Sequence, residues 1–290
     1  MSSKSPRFPN NEPSRLQERY MQDPQDLILV RHDEREEGRV TTVTFNNPEK
    51  RNSLSLAGKN RFIDTLAKLR YDESLRVLII TGAGDKSFIG GTDLPQLASF
   101  NLEEAQASSN TTHRMCDAVR TFPVPVIARI NGFCFGSGME LAACADMRVG
   151  ATHSRFGMPE TRMGLPSGME ASVLPRLIGW GKACELVLTG DHIDADEAYR
   201  IQYLQRLVPY AELDAVVEAW VTSLLACGPQ AVRLQKRLIL DWATMSVTDG
   251  ARAGIQAVVD AYRTGEPKQY ISNFIERKKQ REQERAKVGK

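Results

Sequence analysis

Ile130-Asn-Gly-Phe-Cys-Phe-Gly136-Ser-Gly-Met-Glu140-Leu-Ala-Ala-Cys144 places a glycine-rich turn directly between an apolar strand and a helix of small residues. Glycines let backbone approach a ligand closely, and the first turn of a helix leaves N–H groups without intrahelical partners. The helix dipole adds about half a positive charge there. That combination suits a developing oxyanion. The same residues also have a structural reading: Ser137-Gly-Met-Glu140 matches the S-x-x-E capping box, in which Glu140 only returns a hydrogen bond to the helix start. A serine nucleophile is disfavoured, because a nucleophile elbow needs glycines two residues either side of the serine, whereas Gly136 and Gly138 flank Ser137 directly.

Outward from this segment the chain alternates strand and helix signals. Leu27–His32 and Val40–Asn46 alternate across the charged turn Asp33–Arg39 and read as a β-hairpin. Leu56, Phe62, Ile63, Leu66 and Leu69 recur at helical spacing, and Val77–Thr81 reads as a short buried strand. A helix over about 102–121, the strand Val124–Ile130 and the strand Met147–Gly150 follow. This order predicts parallel strands with helical crossovers, an α/β core. Beyond residue 168 the pattern turns to helices near 181–189, 194–201, 210–227, 229–244, 247–263 and 266–285, punctuated by Gly, Pro or Asp. Gly82-Ala-Gly84-Asp-Lys-Ser87 imitates a dinucleotide fingerprint, but Ser87 stands where the third glycine belongs, so a surface turn is expected.

Composition narrows the function classes. The 290 residues are 41% hydrophobic and 26% charged, an ordinary globular balance. No apolar run approaches the roughly 18 residues of a membrane-spanning helix. Five cysteines without a C-x-x-C pair and four scattered histidines fit neither a zinc site nor a disulfide scaffold, and suit a reducing compartment. The net charge of +2 divides into +6 on residues 1–20 and 276–290 together and −4 between them. Residues 1–26, rich in Pro, Asn, Ser and charge, read as a flexible leader without a secretory h-region. Glu12, Glu18, Asp23 and Asp26 argue against a transit peptide, and the terminal Val-Gly-Lys is no peroxisomal tripeptide. A cytoplasmic location is expected, with a mitochondrial one as the alternative.

Two further segments bear on the chemistry. Lys86-Ser-Phe-Ile-Gly-Gly-Thr-Asp-Leu94 holds paired glycines at a second strand-to-helix transition, and Phe156-Gly-Met-Pro-Glu160 puts a carboxylate on an apolar turn. Two glutamates in apolar settings titrate apart, which lets one donate a proton while the other activates water. Taken in order and spacing over about residues 27–285, these segments resemble the crotonase superfamily, the enoyl-CoA hydratase/isomerase group. Asn47-Pro-Glu-Lys-Arg-Asn52-Ser-Leu looks like its early CoA-contacting loop.

The resemblance implies a crotonase-like spiral of ββα units: a core over 27–205, a helical region over 206–285 for trimerisation, and a tail at 286–290. It implies an oxyanion hole from the N–H groups of Gly90 and Ser137, and CoA contacts at Lys50, Arg51, Asn52, Ile89, Asp93, Phe274 and Lys278. It also implies a water held between Glu140, as base toward Cβ, and Glu160, as acid toward Cα, with roles that can be shared or exchanged. The implied reaction is hydration of a trans-2-enoyl-CoA to a 3-hydroxyacyl-CoA. It needs no metal and no cofactor beyond the CoA of the acyl-CoA substrate. A homotrimer is implied, with a dimer of trimers as the alternative, and no membrane.

The chain departs from the family at Gly164-Leu-Pro-Ser-Gly-Met-Glu170-Ala, where Met169 and Glu170 stand where glycines are common, and at Gln202-Tyr203-Leu204. A surface role is expected for Glu170, and turn or capping roles for Gly84, Asp93 and Asp146. Two alternatives stay open: another crotonase-type reaction (isomerase, thioester or C–C hydrolase, decarboxylase or cyclase), and an RNA-binding relative using the basic tail Arg277–Lys287. That tail lacks interleaved aromatics for stacking bases and reads equally as a solvated helix end.

Overall fold

A computed structural model describes residues 27–288; the expected leader 1–26 and the last two residues lie outside it. The hairpin forms as read. Strands β1 (Ile28–Arg35) and β2 (Gly38–Phe45) pair antiparallel with Ile28 opposite Phe45 and Arg35 opposite Gly38. Helix α1 (Leu56–Leu69) then crosses to β3 (Leu75–Gly82), which is buried along its whole length. Such a strand, covered on both faces, reads as a continuous apolar run. After β4 (Ser87–Ile89), α2 (Leu94–Ala98) and α3 (Leu102–Arg120) come β5 (Val126–Ile130), β6 (Phe133–Phe135) and α4 (Ser137–Ala143). Strand β5 starts after Pro125, which has no N–H for a ladder. Next are β7 (Met147–Ala151), β8 (Arg155–Gly157), α5 (Leu174–Ile178), α6 (Trp180–Thr189), β9 (His192–Asp194), α7 (Ala195–Arg200) and β10 (Arg206–Val208).

The long strands build a six-stranded sheet ordered β1-β2-β3-β5-β7-β10, parallel from β2 onward. The short strands build a second sheet, β4-β6-β8-β9, whose first three strands are parallel. Successive turns of the chain thus add one long strand, one short strand and a helical crossover. This repeated unit is a spiral of ββα units. Three-residue strands carry too little periodicity to be read from sequence, which is why this second sheet was not expected.

The main core lies between the sheets and helices α1, α3 and α4, around Phe62, Leu78, Phe88, Val126, Leu141 and Phe156. A second core covers the other face of the large sheet, where Leu213, Val217, Val221 and Leu225 of α8 (Leu213–Leu225) pack on Val77, Ile127 and Val149. The expected boundary at residue 205 therefore falls inside the body: β10 pairs with β7, and α8 closes the sheet. Helices α9 (Pro229–Trp242), α10 (Val247–Thr264) and α11 (Glu266–Val288) extend beyond it. Among the described residues no single helix is long and apolar enough to cross a membrane.

Candidate active site

Because β4, β6 and β8 run parallel and adjacent, the segments leaving their C-terminal ends are neighbours. These are Gly90–Asp93, Gly136–Glu140 and Met158–Glu160. Helix α4 begins at the centre of the three. Its start is set by Gly136, whose φ of +52° and close approach to Glu160 both demand glycine. A Cβ there would stand 2.4 Å from Glu160 Oε1. At Gly138 a Cβ would meet the Ile89 carbonyl at 2.5 Å, so the missing side chain lets α4 lie directly on β4.

The capping-box reading of Ser137 and Glu140 does not hold. Gly136 is the residue before the helix, Ser137 already lies within the first turn, and neither side chain caps it. Glu140 turns inward instead. It is 2% exposed, and its Oε1 accepts the Ala171 N–H at 3.0 Å. Burial pushes its pKa up to about 8, opposed by the Ala171 N–H and Lys59 and reinforced by Glu160 and Glu170. Glu160 is half-buried and its Oε2 accepts the Ser167 hydroxyl at 2.8 Å. Burial raises its pKa too, against its own backbone N–H and Ser167.

One expected oxyanion donor is displaced by one turn of chain. The Gly90 N–H is committed to the Arg51 carbonyl at 2.9 Å, an acceptor it shares with the Ser87 hydroxyl at 2.8 Å. Two residues on, Leu54 N–H bonds Gly91 O and Asp93 N–H bonds Leu54 O, leaving the Thr92 N–H without a partner among the described residues. The Ser137 N–H, in the first turn of α4, has no intrahelical partner either. Their side-chain oxygens lie 3.3 Å apart, so the two residues are side by side. Thr92, not Gly90, therefore stands beside Ser137. The glycine pair had drawn attention to itself, whereas the free amide follows from the hydrogen-bond pattern that the Leu54–Thr92 bridge imposes.

The residues expected to meet CoA divide into three groups. Lys50 and Arg51 are exposed on the turn before α1, with the Arg51 guanidinium 5.0 Å above the Phe133 ring in an open cleft of about 500 Å³ shared with Phe135, Arg155 and His192. Asn52, Ile89 and Asp93 have their side chains engaged elsewhere. Asn52 accepts the Asn47 N–H and donates to the Ala83 and Ser87 carbonyls; Ile89 is fully buried; Asp93 caps α2 through the Gln96 N–H. Only their backbone can face a ligand. Phe274 and Lys278 lie exposed on α11, which packs on α10 and meets α9 through Glu266. Within one chain they are not gathered with Glu140 and Glu160.

Several site neighbours were not legible in advance. Lys59 is 1% exposed, donates to Thr112 Oγ1 at 2.8 Å, and is held by burial to a pKa of about 8. Its signal was its place on the apolar stripe between Leu56 and Phe62. Glu170, expected at the surface, is 5% exposed and bonds His113 Nδ1 at 2.6 Å. Its chain neighbour Met169 holds a φ of +40°, a conformation glycine adopts more readily. Tyr203 is fully buried and donates to the Met139 carbonyl at 2.7 Å, while Arg148 donates to the Ala145 carbonyl past the end of α4. Asp146 accepts the Val126 N–H and the buried Lys236 ammonium, a structural role as expected.

Comparison with known proteins agrees with this geometry. A family model described as enoyl-CoA hydratase/isomerase matches residues 35–284. The chain is 32% identical to the crotonyl-CoA hydratase of Syntrophomonas wolfei, over 84% of this chain and 94% of that one. It is 30% identical to the short-chain-enoyl-CoA hydratase of Clostridium acetobutylicum, with the same coverage of each. The crystal structure of an enoyl-CoA hydratase from Bacillus anthracis superposes with a TM-score of 0.75 at 33% identity, covering 79% of this chain and 89% of the other.

Proposed function

The chain belongs to the enoyl-CoA hydratase/isomerase family, and from that premise we propose that it adds water across the 2,3 double bond of a short-chain trans-2-enoyl-CoA to give the 3-hydroxyacyl-CoA. The observation that carries this reading is the convergence of two carboxylates, Glu140 and Glu160, on the start of the helix whose first N–H groups are free. Isomerisation or hydrolysis leaves one of the two without a task. The names of the relatives from Syntrophomonas and Clostridium support the short acyl chain.

In this mechanism the thioester oxygen lies between the N–H groups of Thr92 and Ser137, which stabilise the enolate formed as oxygen adds to Cβ. A donor of this kind lowers the barrier by about 2.7–4 kcal/mol. Burial raises both carboxyls above the ordinary range and pushes Glu140, the more deeply buried, to about 8, so Glu140 carries a proton at neutral pH. Glu160 then takes a proton from the water that attacks Cβ, and Glu140 gives its proton to Cα. This exchanges the roles implied by family resemblance, for the physical reason that burial penalises charge on Glu140 more. The two carboxylates reset by passing the proton back through the next water. No metal or redox partner enters these steps.

The CoA phosphates are assigned to the exposed Lys50 and Arg51, with Lys278 of a neighbouring copy, whose exposed Phe274 offers an apolar face to the rest of the CoA. The apolar side chains Ile255, Val258, Tyr262, Ile271 and Phe274, exposed on α10 and α11, support a trimer through these helices. Steady-state hydration of crotonyl-CoA tests the reading. The unaltered chain should turn over, and Glu140→Gln and Glu160→Gln should each lose about 10²–10⁴-fold in kcat. A doubly substituted chain that hydrates normally would refute the assignment.

A further inference from the structure

Glu170 has a position the hydration chemistry does not use. Its Oε1 lies 2.6 Å from His113 Nδ1, at the exposed face of α3, while its Oε2 is buried and has no hydrogen-bond partner. A buried carboxylate oxygen without a partner is costly and calls for a reason. Its chain neighbour Ala171 is the residue whose N–H fixes Glu140. Helix α3 packs against both α4, which carries Glu140, and the turn at Met169–Val173, which carries Glu170, and those two elements also pack on each other. Glu170 thus stands between an exposed imidazole and a buried carboxylate.

We propose, taking Glu140 as a proton-transferring group of the hydration described above, that Glu170 and His113 are a positioning pair for it. The pair anchors the turn that delivers the Ala171 N–H to Glu140, and its charge controls the protonation of Glu140. The other titratable groups on elements packed against α4 are Lys59 of α1, Cys116 of α3, Cys134 of β6, Glu160, and Cys144 at the helix end. Arg176 of α5 is turned away onto the Ala243 carbonyl. Among these, Glu170 and Glu160 act on Glu140 as like charges, and Lys59 acts as the opposite one.

The test uses the full chain labelled with carbon-13 at the glutamate carboxyls, with the Glu140 resonance assigned by its loss in Glu140→Gln. Glu170→Gln keeps the hydrogen bond to His113 and removes the charge, so the Glu140 titration midpoint should fall by about half a unit or more. His113→Ala leaves the charge, removes its partner and loosens the turn, so the midpoint should rise. The alkaline limb of kcat/KM for crotonyl-CoA should follow both shifts. Opposite signs are the signature, since a packing role alone moves both variants the same way. An unchanged midpoint in Glu170→Gln, or shifts of one sign in both variants, overturns the proposal. Should Glu170→Gln not fold, His113→Ala decides alone, since its side chain is exposed; an unchanged midpoint there is then the contrary result. A wild-type chain that titrates as described but does not hydrate would overturn the hydration reading and leave this pair standing.

Discussion

Glu140 concentrates the conflict between stability and activity in this chain. Its pKa of about 8 in the folded protein stands against about 4.5 unfolded. Between those values the native state binds more protons than the unfolded one, so its contribution to stability falls as pH rises through the interval. At pH 7 the cost is roughly 3 kcal/mol. Glu140→Gln removes the titrating group, and so should stabilise the fold while abolishing turnover, a common trade at active sites. Urea melts from pH 5 to pH 8 check this: the advantage of the variant should grow with pH, and a constant difference would contradict it. Lys59 is the opposing residue, a buried cation that favours the ionised form of Glu140.

Helix α4 is the element on which the site depends, and it is only seven residues long. An isolated helix of that length does not form in water. It is held by tertiary contacts: Gly138 seated on β4, the Arg148 guanidinium on the Ala145 carbonyl, and the Tyr203 hydroxyl on the Met139 carbonyl. Tyr203→Phe removes that buried hydrogen bond and should cost about 1 kcal/mol in stability, with a loss in kcat as α4 loosens. A denaturation midpoint and kcat equal to wild type would show that the bond contributes nothing. These supports also mark what sequence could and could not show. The glycines of α4 were readable because turn chemistry is local, whereas the pairing of Glu140 with Glu160 came from the family resemblance. Arg148 reaches Ala145 over three residues, whereas Tyr203 acts across 64 residues of chain, and no local pattern points to so distant a partner. Glu170 was misplaced for the same reason: its partner His113 lies 57 residues away. Gly90 was chosen for its type, whereas the free amide at Thr92 depends on which carbonyl each neighbouring N–H meets.

At the scale of the molecule, the spiral brings three separate strand ends together. The large strands were legible as apolar runs, and the long C-terminal helices from their spacing and punctuation. The small sheet, whose strands lead into Thr92, Ser137, Glu140 and Glu160, was hidden by its brevity. The basic residues split between the turn at Lys50 and Arg51 and the exposed α11, two separate elements of one subunit. That separation fits a binding site completed between copies in the proposed trimer. Hydration of an enoyl thioester by this arrangement is read from the product formed from crotonyl-CoA in D₂O, analysed by mass spectrometry and proton NMR. 3-Hydroxybutyryl-CoA carrying one deuterium on Cα is expected; free CoA, a shifted double bond, or unchanged substrate would overturn the hydratase assignment.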